Sequence, residues 1–287
     1  MPWILLSDHP YLPRRLEWRR HSGYSLPLDI LILLQYLMYG LFLTVYFTST
    51  RRILPIYPGM ALPFDILLPM LTFIVFVLSI CVSLKDVEEE ACKGRSHGRT
   101  VPLDLRVSTD PHPIIDRNTR YCRICSTTVS SGTRHCRRCN KCVRGYNHHC
   151  RWLNTCIGDA NLRGFYALVG LNSLLALLNL VPTVLVFAAY FSSIPGYYQY
   201  SHELFPDLDA PGIPVMIITS FALLGQAICA IGLLQLGYIH LRFWYRGRKS
   251  NQAIVRHLPS GDTLAVSDDG YISSPIKDGR EMHLPSL

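Results

Sequence analysis

Four long apolar segments constrain this chain more than any other feature. They run from about Leu26 to Phe47, Ala61 to Leu84, Phe165 to Phe191 and Ile213 to Leu241. A bilayer-crossing helix needs about 20 mainly apolar residues, and each segment meets that length. Core helices of soluble proteins are usually shorter and keep a polar face. The chain is also 49% hydrophobic with only 17% charged residues, an unusual balance for a soluble domain. The expectation is an α-helical membrane protein with four transmembrane helices. Residues 1–25 hold Arg14, Arg15, Arg19 and Arg20 but no apolar stretch ending in a small-residue cleavage site, so the first span is expected to be retained.

Orientation follows from the basic residues. Lys and Arg number 4 before the first span, 2 between spans one and two, 15 between spans two and three, none between spans three and four, and 7 after the last. The positive-inside rule then predicts cytosolic termini and a cytosolic central loop. The loop with Glu203, Asp207 and Asp209 faces the lumen or exterior. The net charge of +8 is thus mainly topological. It suits anionic headgroups or a phosphate-bearing ligand, and it is weak ground for nucleic acid binding. The predicted division is an arm (1–25), spans one and two (26–84), a polar connector (85–121), a Cys/His-rich core (122–164), spans three and four (165–241) and a tail (242–287). In the arm, Trp3 and Trp18 suit a membrane interface as well as a disordered start. The end of the tail, residues 259–287, reads as disordered, and chance accounts for Ser274-Pro275 as readily as a phosphorylation site does. No internal repeat is evident. Pro182 is expected to kink span three, and Asn172 and Asn179, seven apart, to bond between helices.

Seven of the ten cysteines lie between Cys122 and Cys156, on the side predicted to be cytosolic. Thiols there stay reduced, which favours metal binding or catalysis over disulfides. The pattern is C-x2-C-x9-H-C-x2-C-x2-C-x4-N-H-H-C-x5-C, comprising Cys122, Cys125, His135, Cys136, Cys139, Cys142, Asn147, His148, His149, Cys150 and Cys156. Paired C-x2-C motifs with further Cys and His fit tetrahedral zinc. Zinc would also add folding energy to a segment with few large apolar residues. Ten candidate ligands supply two closed sites with two groups to spare. Spacing alone leaves open which cysteine is spare. Cys150, beside two histidines, is the attractive candidate for a nucleophile.

This segment resembles the DHHC-type protein S-acyltransferases, the palmitoyltransferases. The likeness spans about Cys122 to Phe165 and includes HHC-x-W-x-x-x-C-x-G-x-x-N through Cys150, Trp152, Cys156, Gly158 and Asn161. It is similar to animal members with Lys or Arg before the Trp, here Arg151. The resemblance implies a cytosolic Cys-rich double-zinc domain between helices two and three. It implies one zinc on Cys122, Cys125, His135 and Cys142, and another on Cys136, Cys139, His149 and Cys156. His148 and Cys150 are then the surplus pair, with His148 as base. Cys150 would take an acyl group from acyl-CoA (palmitoyl-CoA) and pass it to a cysteine of a client protein. Trp152, Arg137, Arg138, Lys141 and Arg144 are the candidate acyl-CoA contacts, the basic ones being equally explained as a solvated face. Each buried methylene contributes about 0.8 kcal/mol, so long chains should be preferred. The family places such proteins in the endoplasmic reticulum or Golgi.

Three departures from the family pattern stand out. Asn147 replaces the family's Asp, which orients and stabilises the imidazole. Leu84-Lys-Asp-Val stands where Asp-Pro-Gly is common, and Lys249-Ser-Asn-Gln where Thr-Thr-x-Glu is common. An Asn carbonyl can hold the useful imidazole tautomer but supplies no charge, so reduced activity is expected. The alternative is an impaired member acting as a membrane adaptor. Ring-type ubiquitin ligases have other ligand spacing, nucleic-acid fingers do not normally sit between spans, and transporters carry more spans or buried ionisable pairs. Cys92 reads as an inert thiol or an acylation site, and Cys81 and Cys229 as packing residues.

Overall fold

A computed structural model describes residues 4–5, 19–93, 114–116, 118–192 and 194–245. Trp3, Trp18, the Pro-rich part of the connector, Lys249-Ser-Asn-Gln and the tail with Ser274-Pro275 lie outside the described residues. The chain divides into two compact units, Met1–Tyr238 and Ile239–Leu287, and of the second the end of the last helix is described.

Strand β1 (Ile4–Leu5) pairs in parallel with β2 (Leu28–Asp29). Asp29 then caps α1 (Ile30–Val45), its carboxylate accepting from the Leu31 N–H at 3.1 Å. The first span does not stop at Phe47. The helical path continues through a π-turn (Tyr46–Thr50), α2 (Arg51–Ile53) and a 3-10 turn (Leu54–Ile56), so the apolar run is Ile30–Ile56. Asp65 at the start of the next helix makes this possible. It pairs with Arg51 Nε at 2.7 Å and accepts from the Tyr46 hydroxyl at 2.9 Å.

The second span is α3 (Ala61–Leu84), the third α4 (Leu162–Phe191), and the fourth lies in α6 (Gly212–Tyr245). Among the described residues these four runs are long and apolar enough to cross a bilayer. The loop between spans three and four carries a further helix, α5 (Pro195–Leu204), with Pro195 at the first turn where its missing N–H costs nothing. Leu68, Val75 and Val82, each seven residues apart on α3, are buried with Phe165, Leu168, Val169 and Leu175 of α4. Asn172 does bond between helices, accepting from the Tyr39 hydroxyl at 2.8 Å. Asn179 does not follow: its amide donates to Leu175 O of its own helix at 2.9 Å. α4 runs on through Pro182.

Between spans two and three lie three antiparallel hairpins: β3 (Tyr121–Cys122) with β4 (Thr127–Thr128), β5 (Arg134–Cys136) with β6 (Lys141–Val143), and β7 (His148–Cys150) with β8 (Thr155–Ile157). They form an internal repeat, where none was expected. Cys122, Cys136 and Cys150 recur at intervals of fourteen residues, each ending its strand, and each return strand starts five residues later. Each turn includes a left-handed residue at the same place: Ser126, Asn140 and Asn154, all with φ 51°. Two are Asn, the non-glycine type that tolerates this region best.

Residues 19–25, the end of the N-terminal arm, form a strap on this domain. Arg20 N–H donates to Cys139 O at 2.9 Å, Gly23 N–H to Ser83 O at 2.8 Å, and Asn154 Nδ2 to Gly23 O at 2.7 Å. The approach at Gly23 is close enough that an added Cβ would stand 2.2 Å from Leu153 O. Arg19 pairs with Glu88, and the buried Arg20 guanidinium donates to the carbonyls of Ser25 and Pro27. The strap, the end of α3 and the start of α4 thus gather at the hairpin end. Ile53, Val186, Ala189, Tyr197 and Val215 pack together at the other.

Candidate functional site

The repeat explains why the two ligand sets interleave. Within each hairpin the turn presents one pair of positions and the strands present a cross-strand pair. Cys122 and Cys125 from the first turn meet His135 and Cys142, which face each other across β5 and β6. Cys136 and Cys139 from the second turn meet His149 and Cys156, partners across β7 and β8. Each turn therefore joins the strand pair of the next hairpin.

Both groups fit zinc. The Nδ1 of His135 lies 3.8, 3.5 and 3.7 Å from the sulfurs of Cys122, Cys125 and Cys142. The Nδ1 of His149 lies 3.8, 3.3 and 3.6 Å from those of Cys136, Cys139 and Cys156. Tetrahedral zinc, with bonds of about 2.3 Å to sulfur and 2.0–2.1 Å to nitrogen, sets these atoms about 3.6 Å apart. The expected ligand sets are the two groups the structure brings together, and either could hold a metal ion.

The third turn has the same shape but not the same residues. Cys150 stands where Cys122 and Cys136 stand, and Leu153 stands where Cys125 and Cys139 stand. After β8 the chain enters α4, so no fourth strand pair follows. Cys150 is the leading cysteine of a turn left without partners for a metal. The turn still directs backbone donors at it. Cys125 N–H points to the Cys122 sulfur at 3.4 Å, and at Cys150 the N–H groups of Leu153 and Trp152 do the same. Burial is the dominant influence and holds the Cys150 thiol up at about 11 even though those two N–H groups favour the thiolate.

Strand alternation sorts the NHHC residues. Successive side chains on β7 point to opposite faces. His149 therefore enters the second ligand group while His148 and Cys150 share the other face. Cys150 packs with Leu153, Phe165 and the α3 and α4 residues rather than with the metal-ligand clusters. His148 meets Phe165 edge-on, with ring centroids 5.2 Å apart. Its Nδ1 is 3.1 Å from Asn147 Oδ1, and Asn147 is buried and held by its N–H to Ile157 O at 2.8 Å. An amide oxygen facing Nδ1 requires the proton there, which makes Nε2 the accepting nitrogen of the ring.

The other predicted contacts divide. Trp152 and Arg144 are exposed, and Arg137 and Arg138 are half-buried. Lys141 is a correction to the expected acyl-CoA contacts. It is fully buried, with its ammonium donating to His21 O at 3.3 Å and facing Asp86 at 3.8 Å. With Arg20 it acts electrostatically on the Cys139 thiol. Three thiolates around a divalent ion leave one negative charge, and these two buried cations offset it.

Two contributors were not among the expected site residues. Asp29 binds Arg151 through both carboxylate oxygens, at 2.7 Å from Nε and 3.2 Å from Nη2, and so ties the turn bearing Cys150 to the first span. Asn161 bridges the hairpins to span three, accepting from Gly158 N–H at 2.9 Å and donating to Cys156 O at 3.0 Å. The C-x-G-x-x-N pattern was the signal for Asn161. Asp29 had no signal, because its partner is 122 residues away.

Comparison with known families finds a model described as DHHC palmitoyltransferase matching residues 115–256. A search of curated proteins finds no match.

Proposed function

The chain belongs to the DHHC palmitoyltransferase family, and from that premise we propose that it is a protein S-acyltransferase working through a thioester on Cys150. The observation that carries this reading is the alternation on β7. It sends His149 to a metal group and leaves His148 and Cys150 together on the face that packs against the spans.

The first half-reaction begins with a proton passing from the Cys150 sulfur to Nε2 of His148, while Asn147 Oδ1 holds the Nδ1 proton. The sulfur attacks the acyl-CoA carbonyl. The carbon–sulfur bond to CoA breaks, and the CoA thiolate leaves with the proton from His148. In the second half-reaction a client cysteine gives its proton to His148 and attacks the Cys150 thioester. Cys150 then leaves and is reprotonated. The N–H groups of Trp152 and Leu153 stabilise the Cys150 thiolate whenever it carries charge.

Zinc, when bound, supplies folding energy and rigidity to the hairpins. Cys122, Cys125, His135 and Cys142 would hold one ion, and Cys136, Cys139, His149 and Cys156 the other. The placement of Cys150 at the junction of hairpins and spans suits a substrate with an apolar chain and a charged head. Arg137, Arg138 and Arg144 remain the candidate contacts for CoA phosphates, and Trp152 for the adjoining part of acyl-CoA. The clients are cysteine-bearing proteins at the cytosolic membrane face. The gathering of strap, α3 end and α4 start supports a single cytosolic side for arm and hairpins, with the endoplasmic reticulum or Golgi as the compartment.

The test is self-acylation. Detergent-purified protein is given labelled palmitoyl-CoA, and a hydroxylamine-sensitive adduct is sought. The reading requires label on the wild type that disappears in Cys150→Ser. An unlabelled wild type that keeps both metal ions would favour the adaptor alternative.

A further inference from the structure

Cys92 is neither exposed nor inert in its surroundings. It is 1% exposed and packs with Cys122, Cys125 and Cys142, three ligands of the first metal group. Its position is fixed by the strand-like segment leading to it. Glu89 N–H donates to Cys142 O at 2.9 Å, Glu88 bridges Val143, and the Glu89 carboxylate accepts from the hydroxyls of Ser130 and Thr133. Cys92 N–H closes the turn onto Glu89 O at 2.9 Å, and Arg19 Nη1 donates to Cys92 O at 3.1 Å. A buried thiol is thus held beside a group that already has its four donors.

The fourth donor is less secured than the three sulfurs. A metal-binding histidine ordinarily has its second ring nitrogen held by a hydrogen bond. His135 is 6% exposed, and among the described residues its Nε2 has no hydrogen-bond partner. Soft metals favour thiolate over imidazole. The Arg19 guanidinium, which also pairs with Glu88, sits on the Cys92 carbonyl beside the place a fourth thiolate would occupy.

We propose that Cys92 is an exchangeable ligand of the first metal group, able to replace His135 and convert a site of three thiolates and one imidazole into a site of four thiolates. In the exchange the Cys92 sulfur gives up its proton and joins the metal, and Nδ1 of His135 leaves the metal and takes a proton. Sulfur–metal and nitrogen–hydrogen bonds form as nitrogen–metal and sulfur–hydrogen bonds break. The inference rests on reading this group as a metal centre, and is independent of whether Cys150 carries an acyl chain.

The experiment measures bound metal in the full-length chain in detergent, starting with wild type. A wild type without about two metal ions per chain would overturn the metal reading itself. Given two, His135→Ala is expected to retain both, and the double variant with Cys92→Ser to retain about one. Loss of one ion in His135→Ala alone, or retention of both in the double variant, overturns the exchange. Should His135→Ala fail to fold, cadmium-loaded wild type and Cys92→Ser decide instead. Cadmium-113 resonances report thiolate number. One resonance is expected at the all-thiolate position in wild type and at the position for three thiolates and one imidazole in Cys92→Ser. Identical spectra refute the proposal.

Discussion

Replacing Asn147 with Asp should raise the rate of Cys150 acylation by about three- to fifteen-fold. In a Ser-His-Asp protease the reverse change costs about 10^4 in turnover, because the amide stabilises the wrong imidazole tautomer. Here Asn147 Oδ1 lies 3.1 Å from His148 Nδ1, so the useful tautomer is already held. Only the charge is missing. A neutral hydrogen bond is worth about 0.5–1.5 kcal/mol and one to a charged group about 1.5–3 kcal/mol. The difference, about 1–1.5 kcal/mol in the imidazolium state, corresponds to about 5–15-fold at 1.36 kcal/mol per decade. Position 147 is 1% exposed, and the cost of burying a carboxylate lowers the bottom of that range. The assay is a quenched time course of hydroxylamine-releasable label from saturating palmitoyl-CoA at neutral pH, with metal content checked in both proteins. A gain above about 10^3 would show that Asn147 holds the wrong tautomer, and no gain would show that His148 does not act through this bond. Either result refutes the reasoning.

Other perturbations separate the parts of the site. Asp29→Asn keeps the helix cap but loses the charge facing Arg151, whereas Asp29→Ala loses both. Denaturation of the detergent-solubilised protein should place the Ala variant about 1 kcal/mol below the Asn variant, the usual worth of a cap. Leu153→Cys completes the third turn as a thiol pair. Alkylation of Cys150 should then slow in zinc and recover with chelator, while Leu153→Ala, which only opens space, should show no zinc dependence. Lys141→Ala should release the second metal ion by removing a buried cation beside its thiolates. Arg144→Ala should leave both ions bound and raise KM for acyl-CoA about 1.5- to fivefold, as loss of one exposed phosphate contact implies. Metal analysis and initial rates distinguish the two.

The sequence showed the spans because bilayer crossing demands long apolar runs, whatever their neighbours. It showed the ligand set because metal chemistry restricts residue type and spacing. Which cysteine was spare came from family resemblance, and the hairpins supply the physical reason: Leu153 sits where the other turns have a second cysteine. The fourteen-residue step was present in Cys122, Cys136 and Cys150, but the differing residues between them hid it. Lys141 misled because a basic residue near other basic residues looks solvated, and only packing reveals the carbonyl of His21 above it. Arg19, Arg20 and Asp29 carried no signal as anchors, since Glu88, the Cys139 carbonyl and Arg151 lie far along the chain from them. Phe47 was a poor boundary because Asp65 neutralises Arg51 from the next helix and lets the first span run on.

The central claim is that Cys150 is a covalent carrier between two thiols. The direct measurement is a chase. The protein is loaded with labelled acyl chain, freed of acyl-CoA, and mixed with a cysteine peptide bearing a membrane-anchoring segment. Peptide mass spectra follow the label with time. The account predicts that label leaves the Cys150 peptide at the rate it appears on the acceptor. Label that remains on Cys150, or an acceptor acylated only while acyl-CoA is present, would contradict it.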